Sequence, residues 1–325
     1  MEIITNATDF YLREETAAAI GKFDGVHVGH RRLLEEILCQ RQAGRKACVF
    51  TFDPPPAVFF GKTGEKELST REEKRRLFAA LGVDILIEFP LNEKTAAMLP
   101  QTFVTEVLFG RMQAGFVAAG TDISFGAGGA GDAALLKRMA AKSGVEVQII
   151  EKVAVDGREV SSTRVRGAVE AGDMRLVQRL LGMPYPVLGT VQHGNRIGRT
   201  LGMPTLNLLP PADKLLPPLG VYYSGVWLKG RYYRAISNIG YKPTIKEEVK
   251  RLGVETYLYD FDGDVYGEEI EVSLYEFRRP ERKFDNVEGL KAQLREDIAA
   301  GEMRTDGAAV HHGGICTAAQ IALHN

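Results

Sequence analysis

The first half of the chain alternates short apolar runs with segments in which apolar residues recur at helical spacing. This alternation predicts βαβ units built around a parallel sheet. The predicted strands lie at residues 18–23, 47–52, 84–89, 116–119 and 145–153. The predicted helices lie at residues 33–43, 71–81, 103–112 and 133–142. Because such sheets bind ligands at the carboxyl ends of their strands, we expect the loops after Phe23, Phe52 and Gly120 to converge on a site.

The pattern changes near residues 183–186, where two prolines follow a helical segment at 174–181. Beyond them, short strands joined by Gly, Pro and Asp-Gly turns predict an antiparallel barrel or sandwich. The predicted elements are strands at 188–192, 220–228, 232–239, 254–259 and 269–274 and a helix at 287–300. We therefore predict domains at 1–183 and 184–303, followed by a C-terminal extension at 304–325 that is either disordered or packed.

Composition limits the classes of protein that the chain can belong to. A length of 325 residues with 45% hydrophobic and 26% charged residues is typical of a soluble, two-domain globular enzyme. The net charge of −1 argues against nucleic acid or a membrane surface as a partner. Three cysteines, without a signal peptide or an apolar run of membrane length, predict a reducing compartment, the cytoplasm.

The stretch I-G-K-F-D-G-V-H-V-G-H at residues 20–30 carries the strongest chemical signal. It places His27 and His30 where a predicted strand turns into a helix. Backbone N–H groups and the positive end of a helix dipole bind phosphate at such a turn, and Gly29 permits close approach. The alternative interpretation is a pair of structural histidines, with Asp24 forming the turn before Gly25. The two imidazoles together favour a protein that handles nucleotide phosphates.

Five motifs, in order, resemble those of the bifunctional bacterial riboflavin kinase/FAD synthetases. They are G-K-F-D-G-V-H-V-G-H at 21–30, T-D-I-S-F-G at 121–126, V-S-S-T-R-V-R at 160–166, G-R-T-L-G-M-P-T-L-N at 198–207, and a composite of 237–240, 243–244 and 254–256. The resemblance runs from about the N-terminus to residue 300. It implies an α/β Rossmann-like nucleotidyltransferase domain of the H-x-G-H type, followed by an antiparallel six-stranded flavokinase barrel with a C-terminal helix.

The resemblance also implies two reactions. Riboflavin and ATP give FMN and ADP in the barrel, and FMN and ATP give FAD and pyrophosphate in the first domain. The substrates would be riboflavin, FMN and ATP, and Mg²⁺ would be the cofactor. Both a monomer and a homo-oligomer are compatible with the sequence. The alternative is a single-function H-x-G-H nucleotidyltransferase with a flavin-binding regulatory barrel.

In the first domain, the resemblance assigns catalysis to His27 and His30 and ATP binding to residues of two motifs. The ATP-binding set is Gly21, Phe23, Asp24, Gly25, His27, Gly29, His30, Ser162, Thr163 and Arg166. The last three precede a helix that we expect to begin around residues 164–167, where hydroxyls and a guanidinium suit phosphates or cap the helix. Asp122 and Phe125 are assigned to FMN. The chain departs from the family at Ile123 and in the glycine-rich stretch 126–131, which has few basic residues.

In the second domain, the resemblance makes Glu255 the general base for the ribityl hydroxyl. Thr205 and Asn207, two residues apart on a strand, share one face and are the predicted Mg²⁺ ligands. The predicted ATP-binding set is Gly194, Arg196, Gly198, Arg199, Gly202, Thr205 and Asn207, and the predicted flavin-binding set is Glu255, Arg279 and Phe284. The alternative interpretations are an ordinary strand pair for Thr205 and Asn207, a solvent-facing side chain for Glu255, and surface charge for the arginines. Tyr241 departs from the family pattern.

Overall fold

The computed structural model describes residues 1–61, 66–193, 203–242 and 251–302. Within these ranges, one unit contains residues 1–61 and 74–161, and the other contains residues 66–73 and everything from 162 onward. The segment 66–73 therefore groups with the second unit although both of its flanks belong to the first. Five predicted ATP ligands of the kinase reaction lie outside the described residues, namely Gly194, Arg196, Gly198, Arg199 and Gly202. The extension at 304–325 also lies outside them.

The first unit contains a six-stranded parallel sheet with strand order β1-β4-β3-β2-β5-β6. Its strands are β1 (Glu2–Thr5), β2 (Thr16–Ile20), β3 (Lys46–Asp53), β4 (Ile85–Pro90), β5 (Ala114–Gly120) and β6 (Glu146–Ile150). The chain runs outward from β2 through β3 to β4, and β5 then pairs with the opposite side of β2. The crevice beside this reversal, at the carboxyl ends of β2 and β5, is where such sheets bind ligands.

Helices cover both faces of this sheet. The helices are α1 (Val28–Cys39), α2 (Pro56–Phe59), α3 (Arg71–Leu81), α4 (Glu93–Ala96), α5 (Pro100–Thr102), a π-helix (Phe103–Arg111) and α6 (Ala133–Ser143). Two 3₁₀ turns lie at Gln40–Ala43 and Ala127–Gly129. A small hairpin consists of β7 (Ala154–Val155) and β8 (Arg158–Glu159). The predicted helix at 103–112 is thus found in π rather than α form. The predicted end of the first helical segment is confirmed, because Gly44 adopts a left-handed conformation with φ 82°.

Side chains of β2 alternate between the two cores. Ala17 and Ala19 pack with Leu34 and Ile37 of α1, whereas Ala18 and Ile20 pack with the cluster that includes residues 103–108 of the π-helix. A strand that is buried on both faces must be apolar where it lacks polar partners, which explains the A-A-A-I run at residues 17–20. The small alanines allow the covering helices to lie close to the switch point.

The second unit contains a closed antiparallel barrel with strand order β10-β13-β12-β11-β14-β9. Its elements are α7 (Ser162–Glu170), α8 (Met174–Leu181), β9 (Tyr185–Gln192), β10 (Thr205–Leu209), β11 (Gly220–Leu228), β12 (Arg231–Lys242), β13 (Arg251–Leu258), β14 (Glu269–Pro280) and α9 (Val287–Glu302). The α/β domain, the six-stranded barrel and its C-terminal helix are therefore confirmed. No helix in the described part of the chain combines the length and apolar character that a bilayer span requires.

One local expectation was wrong, and residues 183–186, where the sequence pattern changes, include the start of a strand. Tyr185 is fully buried and begins β9, and Pro186 pairs with Ser273 of β14. The first residues of a strand tolerate proline since they need not donate to the ladder. The helix expected around residues 164–167 begins at Ser162, so Ser162 and Thr163 lie inside its first turn rather than before it.

Candidate active sites

The H-x-G-H turn joins β2 to α1 through a distorted backbone. His27 is the N-cap of α1, in extended conformation, and its ring accepts a hydrogen bond from the backbone of His30. Phe23 and Val26 have φ values of 51° and 43°, a region that side chains rarely adopt, and both are completely buried. Core packing thus holds this turn in a strained form, which is common at functional sites.

The two predicted catalytic imidazoles lie against each other. Their ring centroids are 3.7 Å apart and nearly parallel, and the ring of Phe23 lies 5.1 Å from that of His30. Nδ1 of His27 is the atom that accepts from the His30 N–H, at 3.3 Å. A neutral ring that accepts at Nδ1 carries its proton on Nε2. His27 can therefore donate a hydrogen bond to an incoming phosphate oxygen.

Burial keeps both imidazoles neutral at pH 7. It lowers the pKa of His27 to about 4, although the negative charge of Asp122 acts in the opposite direction. Burial, followed by the charge of His27, lowers the pKa of His30 well below its usual value. Nδ1 of His30 is buried and has no hydrogen-bond partner among the described residues. Such an atom requires a ligand or water to satisfy it.

Asp122 and Phe125 follow β5, beside the H-x-G-H turn, but they have different environments. The Asp122 side chain is 72% exposed and lies near enough to His27 to affect its pKa. The ring of Phe125 packs in the core against Phe103, at 5.7 Å, and only 4% of the residue is exposed. Ile123 also packs against that core. The FMN-binding roles of Asp122 and Phe125 stay predictions.

The remaining predicted ATP ligands of the first reaction belong to the second unit. Ser162 and Thr163 form the first turn of α7, and the guanidinium of Arg166 donates to the backbone carbonyl of Lys66. This hydrogen bond links Nη1 of the guanidinium to the backbone of segment 66–73. The phosphate-binding roles of these residues stay predictions.

The barrel brings three polar side chains into one row. Asn207 of β10 lies directly opposite Glu255 of β13, which in turn lies opposite Asn238 of β12. Directly opposite residues have Cβ atoms about 4.5–5.5 Å apart and point to the same face of the sheet. Thr205 pairs with Tyr257 on that face, so the predicted Mg²⁺ ligands and the predicted base are neighbours. All of these side chains are partly buried.

Sequence reasoning missed Asn238, although the S-N-I-G motif that contains it was recognised. Its position opposite Glu255 depends on the register of β12 against β13, which no local pattern reveals. A chain of buried hydroxyls on the other face stabilises that register: Ser237 lies 2.8 Å from Ser224 and 2.8 Å from Thr256. Because all three hydroxyls find partners inside the barrel, their burial carries little cost.

The predicted flavin ligands Arg279 and Phe284 lie at the end of β14 and beyond it. The Arg279 guanidinium donates to both oxygens of Asp297 on α9, from Nε to Oδ1 at 3.1 Å and from Nη2 to Oδ2 at 2.6 Å. Burial by itself would raise the pKa of the Asp297 carboxyl. Hydrogen bonds from Arg279 and Arg278 outweigh this effect and lower that pKa. Phe284 is partly buried, and Tyr241 is 56% exposed. Arg279 therefore has a clear structural partner, and its contact with flavin stays a prediction.

Comparisons with known proteins agree with this two-part organisation. A model of the FAD synthetase family matches residues 11–164, and a model of the riboflavin kinase family matches residues 181–304. The bifunctional riboflavin kinase/FMN adenylyltransferase of Listeria monocytogenes is 38% identical over 293 residues, covering 89% of this chain and 92% of that protein. The protein of the same name from Escherichia coli K12 is 35% identical over 297 residues, covering 89% and 93%.

A solved structure also matches the whole fold. The crystal structure of a protein named macrolide-efflux protein, from Streptococcus pneumoniae, superposes with a TM-score of 0.82 at 29% identity. The superposition covers 93% of this chain and 99% of the Streptococcus pneumoniae chain. With both family models matched in order and relatives aligned over nearly their full length, the chain belongs to the bifunctional riboflavin kinase/FMN adenylyltransferase family.

Proposed function

We propose that the barrel phosphorylates riboflavin with ATP to give FMN, and that the α/β unit transfers AMP from a second ATP to FMN, giving FAD and pyrophosphate. The observation that carries this proposal is the presence of both family matches in one chain, at 11–164 and 181–304. A regulatory barrel is less well supported, because the row of Asn207, Glu255 and Asn238 has the chemistry of a kinase site.

In adenylyl transfer, an oxygen of the FMN phosphate attacks the α-phosphorus of ATP and pyrophosphate leaves. Both reactants are anions, so catalysis consists mainly of alignment and stabilisation of negative charge. Nε2 of His27 and Nδ1 of His30 are the donors we assign to phosphate oxygens, supported by the neutral state of the rings and the unsatisfied Nδ1. The N-terminus of α1 adds its backbone N–H groups and its dipole.

In the kinase reaction, we assign Glu255 to accept the proton of the ribityl hydroxyl as that oxygen attacks the γ-phosphorus of ATP. Asn238, directly opposite, is suited to orient the carboxylate by a hydrogen bond from its amide. The position of Glu255 on a regular strand favours a fixed geometry, because its neighbours on both sides are paired. General bases of this type typically contribute about 10²–10⁴-fold in rate.

Mg²⁺ fits the donor set of this row. Thr205 and Asn207 offer neutral oxygens on one face of β10, and hard cations prefer oxygen ligands. No cluster of three or more His, Cys, Asp or Glu side chains suited to a metal occurs in the described ranges. A cation here would therefore be held by Thr205, Asn207 and the nucleotide's own phosphates, and it would neutralise charge on those phosphates.

Composition supports a proposal for the compartment and the partners. We propose a cytoplasmic enzyme that acts on riboflavin, FMN and ATP, without a nucleic-acid or membrane partner. The net charge of −1 and the sparse cysteines support this.

The experiment is a direct assay. The full chain is mixed with riboflavin, ATP and Mg²⁺, and the flavins are separated by chromatography over time. We expect FMN to appear first and FAD afterwards, with pyrophosphate released in step with FAD. FMN accumulation without FAD would contradict the adenylyltransferase assignment, and FAD formed only from supplied FMN would contradict the kinase assignment. Binding of riboflavin with neither product would favour the regulatory alternative.

A further inference from the structure

The adenylyltransferase site must bind FMN, which is an anion, although the site itself contains a carboxylate. Asp122 is exposed and its charge acts on His27, so a phosphate bound by that imidazole would also be within the field of this carboxylate. An uncompensated carboxylate at that position would repel both substrates. A cation beside Asp122 would remove that repulsion, and neither of the residues that the motifs assign to FMN, Asp122 and Phe125, is basic.

The glycine-rich stretch after Phe125 does not supply this positive charge. Its sequence G-A-G-G-A-G at 126–131 contains no basic side chain. Most of its backbone N–H groups are already used within the fold: those of Ala127, Gly129, Ala130 and Gly131 donate to the carbonyls of Met98, Gly126, Ala127 and Phe125. Amides that are satisfied in this way cannot form the anion-binding concavity that glycine-rich loops often provide.

A lysine from the neighbouring strand lies where the charge is needed. β5 and β6 pair in parallel with Gly120 opposite Ile150, so the residues after both strands emerge at the same edge. Asp122 and Lys152 each come two residues after this pair, and Thr121 donates to the Ile150 carbonyl at 3.3 Å. Nζ of Lys152 lies 3.5 Å from Oδ2 of Asp122.

Two carboxylates hold this ammonium without burying it. Lys152 lies 3.1 Å from Oε2 of Glu159 on the β7–β8 hairpin, in addition to its contact with Asp122. The Lys152 side chain is 39% exposed and its two partners are 72% and 67% exposed. The hydrogen bond to Glu159 and the charge of Asp122 raise the pKa of Lys152, so it is charged at neutral pH. Exposed ion pairs are weak enough to rearrange around a doubly charged phosphate.

We propose that Lys152 binds the phosphate of FMN in the adenylyltransferase site, with Asp122 and Glu159 holding its ammonium in position before the substrate arrives. This inference rests on the proposed function of the first unit. It assigns to a residue of the β6–β7 connection the charge that the glycine-rich stretch lacks. Lys152 acts here as a binding residue: it brings FMN to the site and takes no proton.

The test uses the full chain with FMN supplied and FAD formation measured. For Lys152→Gln we expect the KM for FMN to rise about tenfold, because a charge-assisted hydrogen bond to phosphate is lost. The KM for ATP and the rate of riboflavin phosphorylation should stay within about twofold of wild type. Lys152→Arg should restore most of the FMN affinity. Lys142→Gln, which removes an exposed lysine of α6, is the matched control and should change nothing.

A double variant separates phosphate binding from simple neutralisation of Asp122. If Lys152 only neutralises that carboxylate, Lys152→Gln with Asp122→Asn will restore the wild-type KM for FMN, and the proposal is overturned. If Lys152 contacts the phosphate, the KM stays high in the double variant. An unchanged FMN KM in Lys152→Gln, or an equal rise in both KM values, would also overturn it. A wild-type chain that makes no FAD would instead contradict the proposed function itself.

Discussion

The ammonium of Lys214 lies 2.7 Å from Oε2 of Glu73, and their side chains are 0% and 2% exposed. Lys214 also donates to the Leu68 carbonyl at 2.7 Å and lies 4.2 Å above the Tyr185 ring. The other oxygen of Glu73 accepts from the backbone of Leu188 at 2.9 Å. Because every charge and every carboxylate oxygen of this pair has a partner, the burial of two ions is tolerated.

Removal of one partner should therefore be costly. Glu73→Gln leaves the Lys214 ammonium buried without a counter-ion, and we expect the free energy of unfolding to fall by about 3–5 kcal/mol. Denaturant unfolding followed by circular dichroism measures this change. Glu35→Gln is the control, because Glu35 forms an exposed pair with Arg32 and its loss should cost less than about 1 kcal/mol. Equal losses in both variants would contradict the importance of the buried pair.

The same pair predicts a smaller effect in a fragment. Glu73 and Leu68 come from segment 66–73, so a fragment of residues 162–325 keeps Lys214 but lacks both partners of its ammonium. In the full chain, Lys214→Met leaves Glu73 buried alone and should lower the melting temperature. In the fragment, where this ion pair is already lost, the same substitution should change the melting temperature much less. An equal decrease in both backgrounds would show that Lys214 contributes mainly through packing.

The sequence predicted those features that depend on local spacing. Helices at 71–81 and 174–181 and the strand at 220–228 were found with the predicted bounds, because apolar periodicity reports on residues within a few turns. The contact between the two imidazoles of the first site could also be predicted, since His27 and His30 lie one helical turn apart. In both cases the interacting residues are close in sequence.

Features that depend on pairing between distant segments could not be predicted. β12 extends to Lys242 and β14 to Pro280 because partners on neighbouring strands continue their ladders, which local composition does not show. Asn238 faces Glu255, and Lys152 reaches Asp122, only through strand register. The Glu73 carboxylate meets Lys214 across 141 positions of sequence. A single sequence carries no signal for such pairs.

The burial of His27 should make stability depend on pH. Its pKa of about 4 in the folded state lies below the value of about 6.5 expected when unfolded, so only the unfolded state binds this proton between these values. Stability should therefore fall as pH drops from about 6.5 to 4, by up to about 3 kcal/mol. In thermal unfolding at pH 7 and pH 4.5, His27→Asn should lose less between the two conditions than wild type. An equal loss of stability in wild type and variant would contradict the conclusion that burial of His27 causes the pH dependence.

Glu255→Gln should separate the two activities. The amide keeps the shape of the side chain and removes the base, so we expect riboflavin phosphorylation to fall by about 10²–10⁴-fold. FAD formation from supplied FMN should stay within about twofold of wild type, because the adenylyltransferase residues are unchanged. Glu269→Gln, an exposed carboxylate of the same barrel, should leave both rates unchanged. A parallel loss of both activities in Glu255→Gln would indicate a structural effect instead.

Asp297 joins α9 to the barrel through two arginines, and this contact offers a test of the flavin assignment of Arg279. Asp297 accepts from Arg278 at 2.8 Å and from Arg279 at 2.6 Å, and the residue is 1% exposed. We expect Asp297→Asn to lower the free energy of unfolding by about 2–4 kcal/mol, since two partly buried guanidiniums lose their anion. Glu296→Gln, whose exposed carboxylate lies 3.4 Å from Arg278, should cost less than about 1 kcal/mol.

Kinase measurements on Arg279→Met and Asp297→Asn then distinguish the two roles of Arg279. If Arg279 only fastens α9, both variants should raise the KM for riboflavin to a similar extent, because both release the same contact between β14 and the helix. If the guanidinium also binds flavin, Arg279→Met should raise that KM several-fold more than Asp297→Asn at equal stability. Asp297→Asn leaves the arginine free to reach the ligand, so a larger effect in this variant would contradict the flavin assignment.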